Sequence, residues 1–152
     1  MKKFKFNLEA VRRLYTIHEE EKKKKLAEAN RLLMQAEQEL QRLGKEYDDS
    51  QDAELKRREE GESVYSMRLY IQYAFDLKIR IESQKQRVLD AARTVSAARN
   101  ELIEAKRKVK SIERLKEKQL LAWKKERNRY EAKVVDDLCQ QQFIRLKEEA
   151  AA

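Results

Sequence analysis

A chain of 152 residues with no proline, two glycines and 42% charged side chains at a net charge of +8 lacks both the breakers of a loop-rich globule and the apolar mass of a large core. Charge at this density marks a coiled coil when it rides on a helical period and disorder when it does not. With Cys139 as the single cysteine, the composition excludes an intrachain disulfide, a cysteine-based metal site and a buried reaction chamber.

The opening, MKKFKFNLEAV, carries lysines but no apolar run of the kind a signal peptide needs. No stretch reaches the roughly 18 apolar residues of a membrane span, and a lone cysteine suits a reducing cytosol. Asn7 is the expected N-cap before Leu8, and Lys3–Phe6 can extend the helix backward, so helix 1 is placed at about 5–60. Leu8, Val11, Tyr15 and His18 open an apolar-type seam. His18, Lys22 and Leu26 are four apart, a stutter that unwinds a supercoil locally. Leu26, Ala29, Leu33, Ala36, Leu40, Leu43 and Tyr47 then alternate by three and four. Gly44 lies inside this intact seam and is read as a weak spot of about 1 kcal/mol relative to Ala.

Gly61 follows Arg57, Arg58, Glu59 and Glu60, and Ser63 follows Gly61. Glycine just past one helix and serine capping the next predict a turn at about 61–63. Helix 2 is placed at about 64–147. Its seam reads Met67, Tyr70, Ala74, Leu77, Ile81, Gln84, Val88, Ala91, Val95, Ala98, Leu102, Ala105, Val109 and Ile112, with Gln84 alone polar. A short turn makes the two helices antiparallel neighbours. Positions whose numbers sum to about 123 should then pair, Leu26 beside Ala97 or Ala98 and Leu8 beside Leu115.

The expected fold is all-α, one long two-helix antiparallel coiled-coil hairpin over residues 1–152. Its helices would be about 80 Å and about 120 Å long at 1.5 Å per residue. From about residue 120, helix 2 therefore overhangs helix 1. The phase slips through Lys116 and resumes as Leu120, Trp123, Arg127, Tyr130, Val134 and Leu138, a stripe with no intrachain partner. Two readings stay open: a bound partner covers it, or the end frays or self-associates.

Charge is polarised. Residues 106–133 hold twelve Lys/Arg against four Asp/Glu, and residues 48–62 hold three against seven. The basic end suits an acidic partner, or is a solvated face. No catalytic constellation exists: His18 is the only histidine and reads as a seam residue that sets register. No glycine-rich loop cradles phosphate, and the glutamates read as surface partners at i,i+4, as in Glu21/Lys25. The chain is therefore not an enzyme and takes no cofactor, metal or small-molecule substrate. A basic-zipper DNA reader needs a parallel dimer with its basic region before the zipper, so nucleic acid is excluded as well.

Tyr65, Tyr70, Tyr73 and Phe75 crowd the start of helix 2. The antiparallel register sets Leu43, Tyr47, Phe75 and Ile79 at one level, either as a protein-binding hot spot or as over-packing of the hairpin end.

The segment Phe4-Lys-Phe6-Asn-Leu8-Glu-Ala-Val11, the acidic-basic run after it and Leu-Ala-Glu-Ala at 26–29 resemble the flagellar export protein FliJ family over essentially the whole chain. That resemblance implies a non-enzymatic component of flagellar type III export, similar to the γ-subunit stalk of rotary ATP synthases. It implies a cytoplasmic place at the cytoplasmic face of the basal body, with membrane association only through the export apparatus. The implied partners are the hexameric export ATPase, the export-gate protein FlhA and export chaperones. The implied gate patch is Leu43, Tyr47, Phe75 and Ile79; the next family positions fall on Glu82 and Gln86, which differ in type. The implied ring-binding residues are Phe4, Phe6, Leu8, Leu120, Trp123, Arg127, Arg129, Tyr130 and Val134. The alternatives are a self-associating structural or adaptor coiled coil, and a secretion chaperone for one exported subunit.

Overall fold

A computed structural model describes residues 3–151; Met1, Lys2 and Ala152 lie outside the described residues. Two helices account for nearly all of them, α1 (Glu9–Glu59) and α2 (Val64–Ala151), packed antiparallel as a helical hairpin, with no strand among the described residues. The chain divides into two compact units. One is His18–Ala105; the other takes the chain up to Ile17 together with the chain from Lys106 onward.

In the His18–Ala105 unit the buried apolar side chains are seam positions: Ala29 and Leu43 on α1, and Ala74, Leu77, Val95, Ala98, Leu102 and Ala105 on α2. Leu77 is fully covered. Ala29, Val95 and Ala98 form one cluster, flanked by Leu26 and Leu33. Alanine facing alanine lets the helix axes approach, and the leucines on either side close the gap. Each fully buried Leu or Val contributes roughly 1.5–3 kcal/mol, so the unit rests on many such contacts in a row. Gln84 is the one buried polar residue among the described residues, and its Nε2 donates to the Ala36 carbonyl at 2.9 Å. Lys22 and Lys25 both reach Glu101 across the helix pair, at 2.8 and 2.9 Å. The partners 36 with 84, 22 with 101 and 25 with 101 follow the antiparallel register that the turn predicts. Lys25 therefore pairs with the facing helix and not with Glu21, whose carboxylate sits 3.7 Å from the His18 imidazole.

The turn is built as its residue types require. The Gly61 N–H donates to the Arg58 carbonyl and the Glu62 N–H to the Arg57 carbonyl, the paired bonds of a Schellman stop. That stop needs a left-handed residue, and Gly61 supplies it with φ of +77°. Ser63 then caps α2: its Oγ accepts from the Ser66 N–H at 3.3 Å and its carbonyl from the Met67 N–H at 3.1 Å. Arg57 ties the two sides together through Glu62 at 2.9 Å and lies 4.5 Å from the Tyr70 ring centre.

Three expectations are corrected. Helix α1 begins at Glu9, not near residue 5: Lys3–Phe6 has no regular secondary structure and Asn7–Leu8 form a turn. The Glu9 N–H bonds to the Phe6 carbonyl and the Arg12 N–H to the Leu8 carbonyl. Leu8 thus holds the cap position, and the Asn7 side chain does not. His18 is exposed; the inward residues of α1 are Tyr15, Glu19 and Lys22, so the four-residue step falls between 15 and 19. His18 sets no register there.

In the other unit Phe6, Val109 and Ile112 are buried. Past Ile112 the covered positions of α2 are Lys116, Leu120, Trp123 and Arg127, and every residue from Asn128 to Ala151 is exposed. The phase slip through Lys116 is present as read.

Candidate partner-binding surfaces

The first turns of α2 hold more apolar side chains than one helix can cover. Met67, Tyr70, Ala74, Leu77 and Ile81 occupy the seam, and what lies between them faces outward: Tyr65, Leu69, Ile71, Tyr73, Phe75 and Ile79 are all exposed. Phe75, at 62% exposure, and Ile79, at 55%, are four apart and so lie one above the other on the helix surface. An apolar helix surface on more than one side is built to be buried on more than one side.

The four residues of the expected gate patch meet in pairs. Leu43 and Ile79 line one shallow groove with Arg42, Arg80 and Arg87 at its rim. Tyr47 and Phe75 line the neighbouring groove with Ile71, Ala74 and Lys78. Lys78 sits over the Tyr47 ring, 5.5 Å from its centre. Leu43 itself is only 5% exposed. It belongs to the packed seam between the helices, so of the four residues only Phe75, Ile79 and the edge of Tyr47 are open to solvent. The Tyr73 hydroxyl donates to Glu46, which raises its pKa above the ordinary tyrosine value. Arg42 bridges Glu46 and Glu39 at 2.9 and 2.7 Å. Ile71, Arg80 and Arg87 escape a reading based on the seam, because they belong to its flanks; counting back four from Phe75 finds Ile71.

The second surface is at the chain termini. Lys3–Phe6 lies outside any helix or strand, and both Phe4 and Phe6 reach α2. Phe6 is 6% exposed, with Lys116 5.8 Å from its ring centre. Phe4 packs on Trp123 at 6.0 Å with a 53° tilt, and Arg127 lies 5.1 Å from the Trp123 ring centre. Tilted aromatic pairs and guanidinium over indole are both favourable geometries. Glu9 fastens the base of this strap, taking Arg12 at 2.6 Å and Lys116 at 3.0 Å, and the two cations hold its carboxyl at about 2. Arg127 Nε is covered and lies 3.4 Å from the Glu131 carboxylate, an ion pair without hydrogen-bond geometry.

Of the expected ring-binding residues, Phe6 is therefore spent inside the molecule, and Phe4, Leu120 and Trp123 are partly covered. Leu8 sits at the edge of exposure, and Arg129, Tyr130 and Val134 are open to solvent. The Phe4–Trp123 contact links positions over a hundred residues apart. The spacing Phe-x-Phe was its one local signal.

Among the described residues no group of His, Cys, Asp and Glu is arranged to hold a metal, and no helix is long and apolar enough to cross a membrane. Cys139 is exposed. A helical hairpin that presents apolar and basic faces belongs to the class of partner-binding helical proteins. Residues 4–148 match the family model described as Flagellar FliJ protein, and the chain belongs to that family. FliJ proteins are non-catalytic, and membership makes this chain a component of flagellar export. Comparison with curated proteins and with solved structures finds no match.

Proposed function

We propose that this chain is the central stalk of the flagellar export ATPase: its terminal end sits in the hexameric ring, promotes ring assembly and hydrolysis, and its turn-proximal flank couples the ring to the gate protein FlhA. Export chaperones would be further partners, and the chain would work at the cytoplasmic face of the basal body. The observation that carries the reading is the state of α2 after Arg127. Residues 106–133 hold twelve Lys/Arg against four Asp/Glu, and the helix carries its apolar stripe on past Arg127 with every residue from Asn128 to Ala151 exposed. The uncovered apolar stripe lowers its free energy by being buried, and the basic stretch at 106–133 favours acidic walls around it. A ring of six equivalent subunits offers a single asymmetric helix pair six similar acidic neighbours. Long, tolerant Lys/Arg contacts suit that mismatch better than close-fitting pockets.

The test is the ATP hydrolysis rate of the cognate export ATPase, titrated with this protein at several ATPase concentrations. Stimulation strongest at low ATPase concentration supports a stalk that drives assembly. A folded, helical protein that leaves the rate unchanged at every concentration rules the stalk reading out.

A further inference from the structure

Between residues 107 and 129 the outer side of α2 carries charge of one sign. Val109, Ile112, Lys116, Leu120, Trp123 and Arg127 are covered positions and mark the inner side. At about 100° per residue, Arg107, Lys110, Arg114, Lys118, Lys125 and Arg129 all fall within about 60° of the opposite direction. All six are exposed. They follow one another at steps of three, four and seven, so they form one row along the helix axis, about 33 Å long at 1.5 Å per residue. The acids of the same stretch, Glu113, Glu117, Glu126 and Glu131, fall on the inner or lateral sides. Leu121, at 60% exposure, fills the gap in the row between Lys118 and Lys125.

On α1 the cations have intrachain partners: Lys23, Arg31 and Arg42 each meet a glutamate three residues back, Glu20, Glu28 and Glu39. Among the described residues, Lys110, Arg114, Lys118, Lys125 and Arg129 pair with no carboxylate. Like charges four apart on a helix repel, and an anionic surface laid along the row relieves that repulsion. We infer that this row is a lipid-contact surface that seats the chain directly on an anionic bilayer, without the export apparatus as intermediary. A protein interface has an apolar core and is poor in lysine, whereas Leu121 is the single large apolar side chain in this row. Single-stranded nucleic acid needs an aromatic platform, and Trp123 and Tyr130 lie toward the inner side. A duplex winds its phosphates away from a straight row within half of its repeat of about 34 Å. A flat anionic bilayer meets all six cations at once, each strengthening partition by about fivefold, and Leu121 can enter the headgroup layer between them. Under the reading above the ring takes the same segment, so lipid and ring compete for it; the lipid contact itself requires no ring.

Co-sedimentation of the full chain with phosphatidylcholine vesicles containing about one-third phosphatidylglycerol, with no ATPase present, tests the contact. The chain should pellet with these vesicles at about 0.1 M salt, stay in solution with pure phosphatidylcholine, and be released at about 1 M salt, where screening is nearly complete. No binding to the anionic vesicles overturns the proposal and leaves the ring reading intact, because ATPase stimulation is measured without lipid. Two triple variants locate the contact. R114Q/K118Q/K125Q removes three charges from the row, and K106Q/K124Q/K133Q removes three exposed charges from its flanks. Glutamine forms helix about as well as lysine and arginine, so both variants keep the helix. The first should lower the partition coefficient by about a hundredfold and the second by less than about tenfold. Equal losses would mean that net charge, not the row, drives binding, and would overturn the assignment. Binding to a DNA duplex of about 30 base pairs as tight as to the anionic vesicles at the same salt would overturn the choice of lipid.

Discussion

Gln84, Gly44 and Glu101 each break the apolar or helical pattern around them, with different consequences. Gln84 is buried but donates to the Ala36 carbonyl, so its desolvation is offset and it ties one point of α2 to one point of α1. Gly44 has no such return. It is helical, and a Cβ added there would meet nothing within 4 Å. Gly44→Ala should therefore stabilise the protein by about 1 kcal/mol, seen as a higher urea midpoint at unchanged slope. A lower midpoint would mean that the glycine serves close packing after all. Glu101 is held at about 2, below the ordinary glutamate value, by hydrogen bonds from Lys22 and then Lys25. A depressed carboxyl stabilises the folded state above its unfolded pKa, and that contribution is lost as pH falls from about 4.3 to about 2. Acid titration followed by helical circular dichroism should show Glu101→Gln losing part of the stability dependence in that window. The lysines around Glu101 are partly exposed, so added salt should shrink the difference.

The turn and the strap are small elements that decide where long helices begin and end. At Gly61 the left-handed φ admits glycine freely and other residues only with strain, so Gly61→Ala should cost about 1 kcal/mol in urea unfolding. Its spectrum should stay fully helical, since a turn of two capped ends remains. The strap of residues 3–8 has its own probe, because Trp123 is the only tryptophan. Phe4→Ala removes the ring packed on it, so Trp123 emission should shift to longer wavelength and its quenching by acrylamide should rise, with helix content unchanged. An unaltered spectrum would show that Phe4 does not cover Trp123 in solution.

For the molecule as a whole, the two surfaces should fail separately. Replacing both Arg127 and Arg129 by Glu should weaken stimulation of the export ATPase while leaving FlhA binding intact. Replacing Phe75 and Ile79 by Ala should do the reverse. Both side chains are more than half exposed, so their loss should barely move the unfolding midpoint. Leu43→Ala would not give a clean answer: its side chain is in the core, and truncation costs about 2–5 kcal/mol of stability before any partner is lost. A double variant at Arg127 and Arg129 that weakens both activities equally would argue against two separable faces.

Most of the hairpin is legible in one dimension because a two-helix pair has so few ways to differ. A three-four seam states which side of each helix is buried, Gly61 and Ser63 state where the chain reverses, and the reversal point then dictates every cross-helix pair, from Gln84 with Ala36 to Lys22 with Glu101. The same logic set Leu43, Tyr47, Phe75 and Ile79 at one level and found the slip at Lys116. It failed where an outcome depends on competition in space. His18 lost its place on the seam to Glu19, because a stutter moved by one residue looks the same in sequence but rotates the helix by about 100°. Lys25 chose Glu101 over Glu21, since the facing helix brought a carboxylate shared with Lys22. Leu43 was read both as a seam residue and as part of the expected patch, and only the facing α2 made it core. Phe4 and Phe6 sit in a segment without helical period; no local pattern says that they fold onto Lys116 and Trp123. Periodicity encodes which face is buried, but the closing of a contact over a hundred residues requires the helices to be in place first.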